Sequence, residues 1–332
     1  MRRRVSLFLT CFLLCGIRVD CLGVLNPVSL ADFATRSHSQ YIDHGNGKFS
    51  LKSGRHRFDF SVGTKEFYAD GTKVYLTYPV SSRKKLHWRS LLKSRLRKQD
   101  VDVLIEQVDI DKIIKPLLFP RVVGGRKVKV IVIDPGHGGK ADGARNTCLK
   151  LKEKDLVLKF AKKLAAELKK QGYIVYLTRT CDVDVSLEGR AIFANKRSAD
   201  LFISVHCNSA TNPKANGIEV FTYTFAGHPS TDQAKLNRRN AIVTRNNRFD
   251  VANTYLAWRL QYRLCRELQM TDRGVRKARM GVLGPTNCPS VLIECGFLSN
   301  LKEASNMCTD VFLVKLARAV CGALRDYAEA CR

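Results

Sequence analysis

From Val128 onward the chain alternates short apolar runs with longer amphipathic ones, and this alternation limits its fold more than any other feature. Val128–Asp134 is a continuous apolar run of strand length. Leu151–Gln171 carries Leu156, Phe160, Leu164 and Leu168 at i, i+4 spacing, which stacks them on one face of a helix that Gly172 ends. Tyr173–Thr178, Leu201–His206, Gly217–Tyr223 and Ser290–Glu294 read as further strands, and Leu187–Ser198, Thr254–Leu268 and Thr309–Glu329 as further helices. Apolar strands alternating with helices build an α/β fold, a twisted, mostly parallel sheet with helices on both faces. In such sheets chemistry gathers at the carboxyl ends of the strands.

Residues 24–120 follow another pattern. Phe58–Val62 and Lys73–Tyr78 alternate with strand period, and Gly45-Asn46-Gly47, Ser53-Gly54 and Asp70-Gly71 mark turns between such runs. A small β-rich domain is expected over 24–120, a linker over 121–127, and a catalytic domain over 128–332. Residues 83–98 interrupt the β pattern with eight Lys or Arg and no acid, and Trp88, Leu91, Leu92 and Leu96 fall at helical spacing. Such a segment is either a contact with an anionic membrane or polymer, or a solvated surface insertion.

Arg2, Arg3 and Arg4 precede an uncharged, mostly apolar run from Val5 to Ile17, too short to span a bilayer as a helix. That order reads as a signal peptide over residues 1–23, hence an exported, periplasmic or envelope-associated protein. The formal charge of +27 points to an anionic partner, and export favours lipid head groups or cell-wall polymer over nucleic acid. Ordinary usage, 45% hydrophobic and 26% charged, excludes a disordered chain. Of the 12 Cys, nine lie between Cys148 and Cys331 with no CxxC pair, and they read as small buried residues.

The reactive residues fall at strand ends. His137 follows the first apolar strand in Asp134-Pro135-Gly136-His137-Gly138-Gly139, and His206 ends another in Ser204-Val205-His206. Glu153 shares a helical face with Val157, Phe160 and Leu164, so an apolar stripe begins with a carboxylate. It is either a first-turn acid complementing the helix dipole or an inward ligand for a cation. Glu294 ends a fully apolar strand, where an ionised carboxylate needs a partner such as Arg179 or Arg190, or a job that uses a perturbed pKa. Two His and one Glu make a three-ligand set for catalytic zinc, with His137, Glu153 and His206 as ligands and Glu294 as acid/base.

These segments resemble the zinc-dependent N-acetylmuramoyl-L-alanine amidases. The Asp134–Gly139 core, Glu153-Lys154-Asp155-Leu156, Leu177-Thr178-Arg179 with Leu187, Arg190 and Asn195, Ala199–His206, Asp272–Val275 and Val291–Asn300 follow in the family's order. The resemblance spans roughly 127–330. It implies a sheet of about six strands, zinc on His137, Glu153 and His206, Glu294 as catalytic acid/base, and cleavage of the amide joining N-acetylmuramic acid to L-alanine in peptidoglycan or its muropeptides. Some relatives plug the site with a helix that an activator protein lifts; here the corresponding Thr224–Ala252 is polar and basic, and weak or absent autoinhibition is expected. Two other readings stand beside the amidase: a zinc peptidase or carboxypeptidase acting on the stem peptide, and a non-catalytic wall-binding module.

Overall fold

A computed structural model describes residues 25–84, 101–124 and 127–331. The expected signal peptide and most of the basic insertion, residues 85–98, lie outside the described residues; Arg83 and Lys84 fall in a strand, Ser81–Lys84.

The described residues are built on an eleven-stranded sheet. Six strands come from the C-terminal part, in the order Ile174–Leu177, Val130–Pro135, Leu201–Asn208, Ser290–Phe297, Ile218–Tyr223, Asp272–Ala278. Their pairings are parallel except that Ile218–Tyr223 runs antiparallel to Ser290–Phe297. Side-chain alternation sorts the apolar strands between two cores. Ile131, Ile133, Ile203, Val205, Val291 and Ile293 face a core shared with the helices Glu153–Lys170, Asp250–Leu268 and Asp310–Ala330. Val132, Phe202 and Leu292 face the other side, under Ala194 of the helix Leu187–Lys196 and Val282–Leu283 of a loop. Both faces are therefore covered, as the unbroken apolar runs require. Two elements escape the sequence pattern. The strand Asp272–Ala278 is masked by its charged residues, and the short helix Leu301–Met307 by its length.

Residues 40–75 add five antiparallel strands to the same sheet. The join is a parallel bridge between Val275 and Val74, supported by Lys73 N donating to Asp272 Oδ2 at 2.7 Å. Trp258 of the Asp250–Leu268 helix is buried there and donates to Ala69 O at 3.2 Å. One apolar core runs through both parts of the chain. A second sheet of three strands, Pro27–Ser29, Val101–Glu106 and Ser81–Lys84, completes the N-terminal part. Pro116 sits within a helical turn, Lys115–Leu118.

Candidate metal centre

Parallel pairing brings the carboxyl ends of three strands together. His206 lies in register with Glu294 on the neighbouring strand, and Glu294 with Glu219 on the next, so the three side chains share one face. His137 stands just past the end of Val130–Pro135, and Glu153 opens the helix Glu153–Lys170. The first turn of that helix is placed by Glu153 N donating to Ala144 O at 2.9 Å. His137 Nε2 and His206 Nδ1 then lie 3.1 and 2.9 Å from Glu153 Oε1. One ligand atom from each of the three residues falls within 4.8 Å of the others.

The surrounding chain is shaped for this meeting. A Cβ on Gly136 would stand 2.2 Å from the His206 ring, and one on Gly143 would stand 2.4 Å from Glu153 Oε2. Neither position tolerates a side chain while the ligands stay in place. His137 itself has φ of 58°, an unfavourable region for a residue with a Cβ. Two buried arginines hold that strained loop by its carbonyls. Arg179 donates to Pro135 O at 3.0 Å and Gly136 O at 2.7 Å, and Arg190 donates to Pro135 O and His137 O, both at 2.7 Å. Asp134 completes the brace, accepting from Arg190 Nη1, Thr178 Oγ1 and Ser204 Oγ.

The two carboxylates differ sharply. Burial would raise the Glu153 carboxyl, but hydrogen bonds from His137 and His206 outweigh it and hold the group well below the usual carboxylate range. Ala144 N and Cys207 N also donate to it, at 2.7 and 3.0 Å. Glu294 Oε2 is buried with no hydrogen-bond partner among the described residues. Burial pushes the Glu294 carboxyl well above the usual range, and the Glu153 and Glu219 charges add to the effect. The salt bridge considered for Glu294 is absent among the described residues, since Arg179 and Arg190 are spent on the His137 loop. Glu219 is paired with Arg273, whose guanidinium lies 4.7 Å over the Phe297 ring.

None of the nine described cysteines forms a disulfide with another described residue. Cys207 and Cys295 flank His206 and Glu294 in sequence but alternate onto the opposite face, in the helix-side core, and burial pushes both thiols up. They pack rather than react. The segment after Tyr223 leaves the sheet four residues along the strand from Glu219, at the end away from Glu294. Its described secondary structure is two 3-10 turns, Arg238–Ala241 and Arg245–Phe249.

Other contributors were hidden in the sequence. Glu303 accepts from Gly217 N and Phe297 N at 2.8 and 2.7 Å, and Asn300 Nδ2 donates to Pro213 O at 3.1 Å, so the Leu301–Met307 helix clamps the loops after His206 and Glu294. Only the Asn300-to-Glu303 capping spacing hinted at this. Gly143 had a turn signal in Asp142-Gly143 but nothing to tie it to the ligands.

Two imidazoles and a carboxylate at the strand ends of a layered α/β sheet define a candidate metal centre. The family profile described as Amidase_3, N-acetylmuramoyl-L-alanine amidase, matches residues 131–326, and the chain belongs to that family. It is 29% identical over 243 residues to N-acetylmuramoyl-L-alanine amidase AmiC of Escherichia coli O6:H1, covering 66% of this chain and 58% of AmiC. It is 34% identical over 202 residues to the probable cell wall amidase LytH of Staphylococcus saprophyticus, covering 60% of this chain and 59% of LytH. The matched region thus spans less than two thirds of either relative. The crystal structure of N-acetylmuramoyl-L-alanine amidase from Clostridium difficile 630 superposes with a TM-score of 0.52 at 32% identity, covering 61% of this chain and 98% of that one.

Proposed function

We propose that this protein hydrolyses the amide between N-acetylmuramic acid and L-alanine in peptidoglycan, releasing stem peptide for wall remodelling or daughter-cell separation. The observation that carries the reading is the convergence of His137, Glu153 and His206 beside a buried carboxylate, Glu294, that has an oxygen to spare. The donor set fits a divalent metal, and two nitrogens with one carboxylate suit Zn2+. The glycine cradle at Gly136 and Gly143 keeps those donors together. When bound, the metal acts as a Lewis acid that polarises the amide carbonyl and acidifies water.

The chain's own residues then have distinct tasks. His137, Glu153 and His206 hold the metal. Glu294 takes the proton of the attacking water and returns it to the departing L-alanine nitrogen, leaving a carboxylate on the muramic acid lactyl group. Arg179, Arg190 and Asp134 keep His137 in its strained conformation. Such a substrate places the working protein outside the cytoplasm, consistent with the basic, apolar start of the sequence. Among the described residues no helix is long and apolar enough to cross a membrane. The segment Thr224–Ala252 leaves from the far end of its strand, which supports weak or absent autoinhibition by that segment.

Mass spectrometry of peptidoglycan digested by the purified protein tests the reading. Stem peptides with a free L-alanine amine are expected, and they should be absent with Glu294→Ala. Stem peptides shortened while still attached to muramic acid would replace the amidase by a peptidase on the same site. No product from metal-loaded protein, with or without candidate activators, would favour a binding module.

A further inference from the structure

The end of the sheet opposite the candidate metal centre carries a second surface. Between Gln233 and Phe249 the chain has five cations, Lys235, Arg238, Arg239, Arg245 and Arg248, and no acid. All five are exposed. In their midst Ile242 and Val243 stand 56% and 65% exposed, two adjacent branched aliphatics with little cover.

This tip is held out by its backbone rather than left loose. Asn240 Oδ1 accepts from Asn237 N at 2.7 Å, Asn240 Nδ2 donates to His228 O at 2.9 Å, and Arg279 Nη2 donates to Asn240 O at 2.7 Å. On the other side Asn247 Oδ1 accepts from Thr244 N at 3.0 Å. The buried Asn246 donates to Cys288 O and Ser290 Oγ at 3.1 and 2.7 Å. Ser290 begins the strand that Glu294 nears the end of, so the tip and the metal centre lie at opposite ends of that strand. The positive surface continues beyond the loop. Arg248 pairs with Asn287, Asn287 N donates to Asn195 at 2.8 Å, and the exposed Lys196 and Arg197 follow Asn195 at the end of their helix.

We propose that this end of the molecule docks on an anionic lipid surface, with Ile242 and Val243 entering the head-group layer and the arginines around them pairing with lipid phosphates. Charge alone would suit any polyanion, but a soluble acidic polymer gives two exposed aliphatic side chains nothing to do. A bilayer interface uses both, since cations near it gain from the surface potential and apolar side chains gain from leaving water. Docked this way, the protein turns its metal centre away from the lipid.

The test is cosedimentation of the full chain with vesicles of phosphatidylcholine alone or mixed with phosphatidylglycerol. Arg238→Gln/Arg239→Gln/Arg245→Gln/Arg248→Gln should weaken binding to the mixed vesicles by about tenfold or more. Ile242→Ser/Val243→Ser should weaken it severalfold, most visibly at high salt, where charge is screened. A charge-matched control, Lys48→Gln/Lys52→Gln/Lys169→Gln/Lys170→Gln, should bind like the parent. Thermal melts establish that each variant folds, and all these substitutions are on exposed or half-exposed side chains. Binding unchanged in both loop variants would overturn the proposal and leave any lipid affinity to other segments. Loss with the arginine variant but not the aliphatic one, matched by equal binding to soluble polyglutamate, would also overturn it in favour of an acidic macromolecule.

Discussion

Where the N-terminal strands meet the main sheet, Asp109, Lys277 and Asp250 are buried, and each has partners. Asp109 accepts from Thr77 N and Tyr78 N at 2.8 and 3.2 Å, Lys277 Nζ donates to Tyr75 O at 2.5 Å, and Asp250 pairs with Lys112 at 2.7 Å. Burial still lowers Lys277 to about 8 and raises Asp109, each partly offset by the charge of the other. At the candidate metal centre the pattern is different. Glu153 is saturated with donors, while Glu294, in register with His206 on the neighbouring strand, keeps an oxygen with no hydrogen-bond partner among the described residues. Buried charges that are fully paired fix geometry; a buried charge left partly unpaired is kept in readiness for a proton.

That contrast can be broken most severely at Glu294. Glu294→Gln should lower turnover by about 10²- to 10⁴-fold, the usual worth of a general acid–base group. Its melting temperature should stay level or rise, because no ionised group is left unpaired in the floor of the site. The seam should behave in the reverse way. Asp109→Asn should lower the free energy of unfolding by about 3–5 kcal/mol, since Lys277 loses the counter-charge that most offsets its burial. Urea denaturation reads that loss, and activity per folded molecule should be unchanged.

A smaller effect is expected from Gly136→Ala, whose Cβ would displace the His206 ring. Metal affinity should fall by about 10- to 100-fold in a competition titration with a chromogenic chelator. The finest probe is Glu219→Gln. In the proposed mechanism Glu294 serves as a base only when ionised, so activity should rise with pH through its pKa. The Glu219 charge helps to raise that pKa, after burial and the Glu153 charge, so its removal should move the acid limb of kcat/KM to lower pH. A limb that moved upward, or stayed fixed while Glu294→Gln abolished it, would mean Glu219 acts on something else.

Much of this was legible in the residues. Strand period and helical spacing located the sheet because both faces of the C-terminal strands are buried, which leaves uninterrupted apolar runs such as Val128–Asp134. Glu153 stood out because a carboxylate began an apolar stripe, and Glu294 because it ended one. Their opposite environments were not legible. Which oxygen finds a donor depends on Ala144, Cys207 and two histidines that are far apart in sequence. Nor did the pattern of residues 24–120 reveal that its strands extend the larger sheet, because the join depends on Val74 meeting Val275 and on Asp272 taking an amide from Lys73. Arg179 and Arg190 were visible as charges near the site, yet their targets are backbone carbonyls, which no side-chain pattern encodes.

The most direct measurement of the division of labour between the two carboxylates pairs metal content with turnover in the parent, Glu153→Gln and Glu294→Gln. Elemental analysis after dialysis against a trace of Zn2+ gives the first, and release of free L-alanine amines from peptidoglycan gives the second. The account predicts that Glu294→Gln retains one equivalent of metal and loses turnover, whereas Glu153→Gln loses both. Full turnover by metal-loaded Glu294→Gln, or metal retained at parental affinity by Glu153→Gln, would contradict it.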